Sequence, residues 1–443
     1  MNDQISRTLQ SLAARRTDRR AVVKGAAAGL ALGAFGLGRS ASAQESTPAT
    51  DLPAYNGEEV TITYGYWDST QTPGVEAQLA AFKEKFPNIT VEPQITPWAD
   101  YWTKLQTSVA GGQAFDVFWL NAANVPIYAS QGALLSSQPL IDAGKVDPAN
   151  YPDSLKALYA YNGEQFGIPR DFDTIGLFYN KDLFDKAGLD YPTGDWTWDD
   201  FRTAAEALTD ADSGIWGAGI TTSLQETWGN FIYQNDGHFL SDDLTTSALG
   251  EPEAAEALAY LANFFTDNLT PSIAIQQANA IPDTLFPAGQ VALLPGGSWR
   301  AGVYAQADAN IDVAPLPKGK KAATIIHGLA NVAWSGTQQP GAVYELLNFF
   351  ASEEAQTIFA QSGTGLPAFN GIQNLWVDAV EGLDAQVFID AVDYSVGTES
   401  APDGGTWINP VLEVIIDGFS GNIPAEEIGP RAAEAADAEL AAS

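Results

Sequence analysis

The chain of 443 residues contains no cysteine. Disulfides, thiolate metal sites and cysteine nucleophiles are therefore excluded, and a lipid anchor on a cleavage-site cysteine is not expected. Histidine is nearly absent too: His238 and His327 stand far apart. With no Gly-x-Ser-x-Gly elbow, that argues against a Ser-His-Asp triad and against a histidine-rich zinc site. Basic residues are scarce, 21 against 55 acids, for a net charge of -34. Nucleic acid and anionic membrane surfaces need clustered Lys and Arg, so neither is expected as a partner. The acidity reads instead as solubility, suited to a salty habitat. Neither a cofactor nor a metal is expected. Asp210-Ala211-Asp212-Ser213-Gly214 starts like a calcium loop but places its glycine early and lacks a closing Glu, so it reads as a turn. Gly363-Thr364-Gly365 imitates a dinucleotide fingerprint, but Pro367 follows and no strand precedes it.

What is present is apolar material: 45% of residues are hydrophobic, enough for a packed interior, and the length suits two or three lobes. The first 43 residues are different. They carry seven basic residues against two acids, a net of +5 that leaves about -39 for the remainder. Arg19-Arg20 followed by a weakly apolar stretch at 25–38, too short to span a bilayer, and by Ala41-Ser42-Ala43 looks like a cleavable twin-arginine export signal. Gln44 is the expected mature start. Residues 44–56 form a Ser/Thr/Pro linker.

Beyond the linker the periodicity alternates. Val60, Ile62, Tyr64 and Tyr66 mark a strand; Val75, Leu79, Phe82 and Phe86 a helix; Ile89 and Val91 a second strand. Tyr101, Leu105 and Val109 mark a second helix, and 115–120 a strand buried on both faces. This β-α-β-α-β order argues a doubly wound α/β sheet, with any ligand beyond the carboxyl ends of its strands. Asn162-Gly163 is a hairpin turn signal. Thr197 with Asp200 is a capping signal for a helix burying Phe201, Ala204, Ala205 and Leu208. Residues 216–220 and 311–316 read as further strands, 253–265 as an amphipathic helix, 286–294 as a run leading into Pro295-Gly296-Gly297-Ser298-Trp299-Arg300, and 327–332 as a return to the first lobe. The remainder is mostly helical.

The organising stretch is 166–189, FGIPRDFDTIGLFYNKDLFDKAGL. A strand stopped by Pro169, a charged turn of Arg170, Asp171 and Asp173, a second apolar run and a helix closed by Gly188 together suit a chain passing between lobes. This run resembles the first crossover of the extracellular solute-binding proteins of ABC importers, family 1, the sugar-type, maltose-binding-protein-like cluster. The resemblance extends over "KLQTSVAGGQAFDVFWLN" from Lys104, "WTWDDF" from Trp196, "FPAGQVALLPGGSW" from Phe286, "VAPLPKG" from Val313 and "SGTGLPA" from Ser362. Leu293 stands where a Met is frequent, and Phe115 where Pro often precedes Asp. The resemblance implies a two-lobed periplasmic-binding-protein fold of type II. It implies a first lobe of 57–170 and 325–366 and a second of 171–324 and 367–443. It also implies a monomer, exported to the periplasm or the outer face of the envelope, that closes on a ligand and delivers it to a membrane permease.

A saccharide offers an apolar C–H face and a ring of hydroxyls, so its site wants flat aromatics beside carboxylates and amides. Trp67, Asp68, Trp119, Asn121, Asp171, Trp228, Trp299, Arg300 and Trp407 are the candidates for binding, with Arg170 and Asp173 at the hinge. The expected ligand is a neutral mono- or oligosaccharide. A polyol, a phosphorylated polyol or a polyamine on the same fold stands as the alternative; Arg170 and Arg300 are few for a phosphate. A secreted carbohydrate-active enzyme with paired carboxylates is the rival from another class.

Overall fold

The computed structural model describes residues 52–399 and 405–442. The export signal expected at 1–43 and residues 44–51 of the expected linker lie outside the described residues. Among those described, no helix is long and apolar enough to cross a membrane.

Two separate sheets are built. In the first, Ile89–Ile95, Val60–Tyr66 and Val117–Asn121 lie side by side and parallel. The strand Leu329–Trp334, arriving from late in the chain, then pairs antiparallel with Val117–Asn121 and carries Leu134–Leu135 and Gly167–Pro169 on its other side. The helices Thr72–Lys85 and Pro340–Phe350 pack on each other through the Phe82–Phe349 ring contact at 5.5 Å, and the second meets this sheet through Tyr64–Phe350 at 5.1 Å. Each such fully buried ring contributes on the order of 1.5–3 kcal/mol. Asp116 ties three segments: its carboxylate accepts from the Thr63 amide and hydroxyl and from the Thr337 hydroxyl. The Asn162-Gly163 turn forms as the sequence predicts, both residues at positive φ, 50° and 80°, between two short strands.

The second sheet has the order Ile311–Ala314, Ile175–Asn180, Val291–Gly297, Trp216–Ala218. Its central strand, Ile175–Asn180, runs antiparallel to both neighbours. A core of Phe201, Leu258, Leu261, Ile415 and Ile428 joins it to the helices Trp198–Leu208, Pro252–Thr266, Ile408–Phe419 and Ala425–Leu440. The Thr197–Asp200 capping box is complete, with the Thr197 N–H donating to the Asp200 carboxylate at 2.8 Å.

Three short segments pass between the lobes and lie against one another. Arg170 N–H donates to Leu329 O, Phe172 N–H to Leu366 O, and Ala368 N–H to Arg170 O, while Asp173 and His327 exchange both backbone hydrogen bonds. Thr324–Ile326 still pairs with Ser395–Gly397, and its Thr324 hydroxyl oxygen accepts from the Ile175 amide. Past the third crossing, Asn370 N–H donates to Asn150 O on the first lobe.

Candidate functional site

A parallel strand places the residue after its carboxyl end at the rim of the sheet. Trp67 follows Val60–Tyr66, Trp98 follows Ile89–Ile95, and Asn121 ends Val117–Asn121. The antiparallel return strand begins at the same rim, because Leu329 pairs with Asn121; His327 is therefore delivered there. In the second sheet Val291–Gly297 ends at Ser298-Trp299-Arg300, and Gly297 pairs with Ile175, so the crossover enters at that rim too. The two rims face one cavity of about 690 Å³. From the first lobe it is lined by Trp67, Asp68, Gln71, Trp98 and Asn121; from the second by Ser223–Glu226, Asp283, Trp299, Arg300, Glu399 and Trp407. Asp173 and His327 line it from the hinge.

The aromatic walls are held from behind. Trp67 packs at 5.2 Å edge-on to Trp98 and at 4.9 Å to Tyr101. Trp98, 52% exposed, presents the larger open face. The Trp299 indole folds back over Gly297: a Cβ there would lie 1.8 Å from its Cζ3, so only glycine permits this pose. Arg300 donates from Nε to Glu226 at 2.6 Å and from Nη1 to Asp283 at 3.0 Å. Glu399 accepts the Phe239 and Leu240 amides at 2.7 and 2.8 Å, fixing the segment after Ser395–Gly397 against the second lobe.

The hinge is electrostatically tense. Asp173 is buried and accepts the Ser298 hydroxyl at 3.0 Å. Burial, reinforced by the Asp171 charge, pushes its carboxyl well above the usual range, favouring the protonated form. Burial lowers the His327 imidazole to about 4, so it is neutral at neutral pH. Arg170, 1% exposed, is held between the rings of Trp119 and Phe359, its Cζ 4.2 and 4.0 Å from their centroids, and pairs with Asp171.

The structure thus brings Trp67, Asp68, Asn121, Asp173, Trp299, Arg300 and Trp407 to one cavity. Arg170 lies buried at the first crossing, its backbone bonded to Leu329 and Ala368. Trp119, Trp228 and Asp171 do not line the cavity, which corrects their assignment as ligand contacts. Trp119 sits inside its strand rather than after it, fully buried, its indole N–H donating to Tyr64 Oη. Trp228 is buried at the end of the turn Leu224–Trp228 and donates to Thr222 O; it is the start of that turn that faces the cavity. Asp171 has its carboxylate turned to Arg170 and to the Leu329 amide. Sequence reasoning missed Gln71, Trp98, Glu226, Asp283, His327 and Glu399. Trp98 obeys the same strand-end rule that found Trp67, and Ser223-x-x-Glu226 is a capping pattern, with Ser223 Oγ accepting the Glu226 amide. Nothing local marks His327 or Glu399.

Two α/β lobes, joined by three adjacent crossings and opening their strand ends on one cavity, define a two-lobed binding protein of the periplasmic type. The chain belongs to the bacterial extracellular solute-binding protein family, whose model matches residues 55–357. It is 24% identical over 361 residues to the galactooligosaccharide-binding protein of Bacillus subtilis, covering 79% of this chain and 80% of that one. It is 23% identical over 311 residues to a maltooligosaccharide ABC transporter solute-binding lipoprotein of Streptococcus pneumoniae, covering 66% and 70%. Among solved structures it is similar to the ABC substrate-binding protein Lmo0181 of Listeria monocytogenes in complex with cycloalternan. That likeness has a TM-score of 0.82 and 29% identity, covering 87% of this chain and all of that one.

Proposed function

We propose that this protein captures a saccharide in the cavity between its lobes and hands it to the membrane permease of an ABC importer, without chemical change. The observation that carries the reading is the composition of the two walls. Trp67 and Trp98 on one lobe oppose Trp299 on the other, with the fully buried Trp407 behind that wall and Asp68, Asn121, Glu226 and Glu399 among them. Aromatic faces take the C–H surface of a pyranose, and carboxylates and amides take its hydroxyls. A volume of about 690 Å³ falls within the ~300–1,000 Å³ typical of small-molecule sites. The names of the relatives, binders of galacto- and maltooligosaccharides, support an oligosaccharide. Because the walls belong to different lobes, a ligand touches both only when they are together, and that difference in contact drives closure. Export through a twin-arginine signal and residence outside the cytoplasmic membrane complete the proposal.

The test is thermal unfolding of the purified protein against a panel of sugars, polyols and polyamines. A ligand at a hundred times its Kd adds about 2.7 kcal/mol, a rise of roughly 3–10 °C in Tm for a chain of this size. A shift with sugars, and recovery of the sugar unaltered, is the expected result. A shift only with non-saccharides, or hydrolysis of a panel member, would overturn it.

A further inference from the structure

The electrical character of the cavity depends on which of its charges are already paired. Asp68, Asp173, Glu226, Asp283 and Glu399 all line it, and Arg300 is the one permanent cation among the described lining residues. Arg300 is engaged by Glu226 and Asp283. Glu399 is largely engaged: one oxygen accepts the Phe239 and Leu240 amides and the other meets His238 Nδ1. Asp173 holds the Ser298 hydroxyl.

Asp68 is placed differently. Its Oδ1 accepts the Thr70 amide and hydroxyl at 2.9 and 2.6 Å, but its Oδ2 has only Gln71 Nε2, at a long 3.4 Å. Gln71 is 4% exposed and lines the cavity, and its Oε1 finds no donor among the described residues. Turning the amide round offers no remedy, because it would set Oε1 against the carboxylate. A buried acceptor left without a donor is unfavourable, so this corner calls for a donor from outside. It presents the Asp68 carboxylate to a cavity with an excess of negative charge, with the unpartnered Gln71 amide oxygen buried beside it. A hydroxyl would bring one hydrogen. An ammonium group would bring three, and the compensating charge. The neighbouring Trp67 and Trp98 rings also favour a cation on their faces.

We propose that the saccharide this cavity prefers carries a protonated amine, seated on Asp68 and Gln71. The inference rests on the saccharide reading above and narrows it from sugars in general to amino sugars. It follows that acidic and phosphorylated sugars are rejected, since no unpaired cation among the described lining residues awaits them.

The experiment is calorimetric titration with matched pairs: glucosamine against glucose, galactosamine against galactose, and the β-1,4 glucosamine trimer against cellotriose and against its N-acetylated form. At low salt the amine member of a binding pair should be about tenfold tighter or more, as an added charge-assisted hydrogen bond implies. The advantage should narrow as salt is raised, because part of it is screened. Asp68→Asn should bring the two members to parity, and Gln71→Leu should narrow the gap in a folded protein. A neutral member that binds as tightly as the amine, or more tightly, would overturn this inference and leave the saccharide reading standing. Silence from every pair, in a protein that another saccharide of the thermal panel stabilises, would overturn this inference alone; silence from the pairs and from every sugar of that panel would overturn both.

Discussion

Gly297 sets the position of the second lobe's aromatic wall, and adding one methyl group to it is a sharp perturbation. Its φ of -83° is one any residue adopts, so alanine brings no backbone strain. The whole penalty falls on Trp299: the new Cβ would stand 1.8 Å from Cζ3, 2.1 Å from Cη2 and 2.2 Å from Cε3. Carbon atoms need about 3.5 Å or more, so the ring must move. If the surroundings resist, Gly297→Ala costs about 1–3 kcal/mol of stability, the usual penalty for overpacking. If the ring swings out, stability is kept and the stacking face is lost. That loss is worth about 0.5–1.5 kcal/mol, or roughly 2–13-fold in Kd. Titration calorimetry and urea denaturation on the same sample separate the two. Because the effect runs through one side chain, Gly297→Ala combined with Trp299→Ala should bind no worse than Trp299→Ala alone. A Gly297→Ala variant with unchanged affinity and unchanged stability would refute the reasoning.

Other consequences are as direct. The His327 pKa is depressed in the folded state, so the unfolded chain takes up a proton from about pH 6.5 that the folded protein refuses until about pH 4. This contribution to stability is lost as pH falls through that window, by up to roughly 3 kcal/mol, and His327→Gln should abolish it. Asp173, whose pKa is raised, acts with the opposite sign, so it is the difference between wild type and variant in acid denaturation that isolates the histidine. Equal pH slopes would count against it. Arg170→Met leaves the Asp171 carboxylate buried without its cation and should destabilise by about 3–5 kcal/mol; a loss below 1 kcal/mol in urea would contradict the hinge described here. Trp98→Ala should weaken binding with little effect on stability, whereas Trp228→Phe should lower stability and leave affinity alone; the reverse pattern would exchange their roles.

The strands and the crossover were readable because each rests on local signals. Period-two alternation at Val60–Tyr66, the proline after Ile168 and the capping pair Thr197–Asp200 depend on few residues, close in sequence. The rule that ligands meet residues beyond strand ends located Trp67, Asn121 and Trp299. It failed at Trp119 because that residue lies two positions before the end of its strand Val117–Asn121, within the sheet rather than beyond it, and is fully buried there. Trp228 was misplaced because a turn of five residues, Leu224–Trp228, points its first residues to the cavity and its last into the core. His327 and Glu399 depend on pairings across long stretches of chain, with Asp173 and with the Phe239–Leu240 amides. No periodicity encodes these. Gln71 shows its meaning only through what it lacks once the fold has closed around it.

The central claim, that a saccharide binds between these two walls, is tested most directly by titrating the wild-type protein and two variants, Trp67→Ala and Trp299→Ala, one from each lobe, with the sugar that gives the largest thermal shift. One site per chain in the wild type and a loss of roughly tenfold in affinity for each variant are expected. Wild-type affinity in both variants, each still folded, would place the ligand elsewhere and contradict the account.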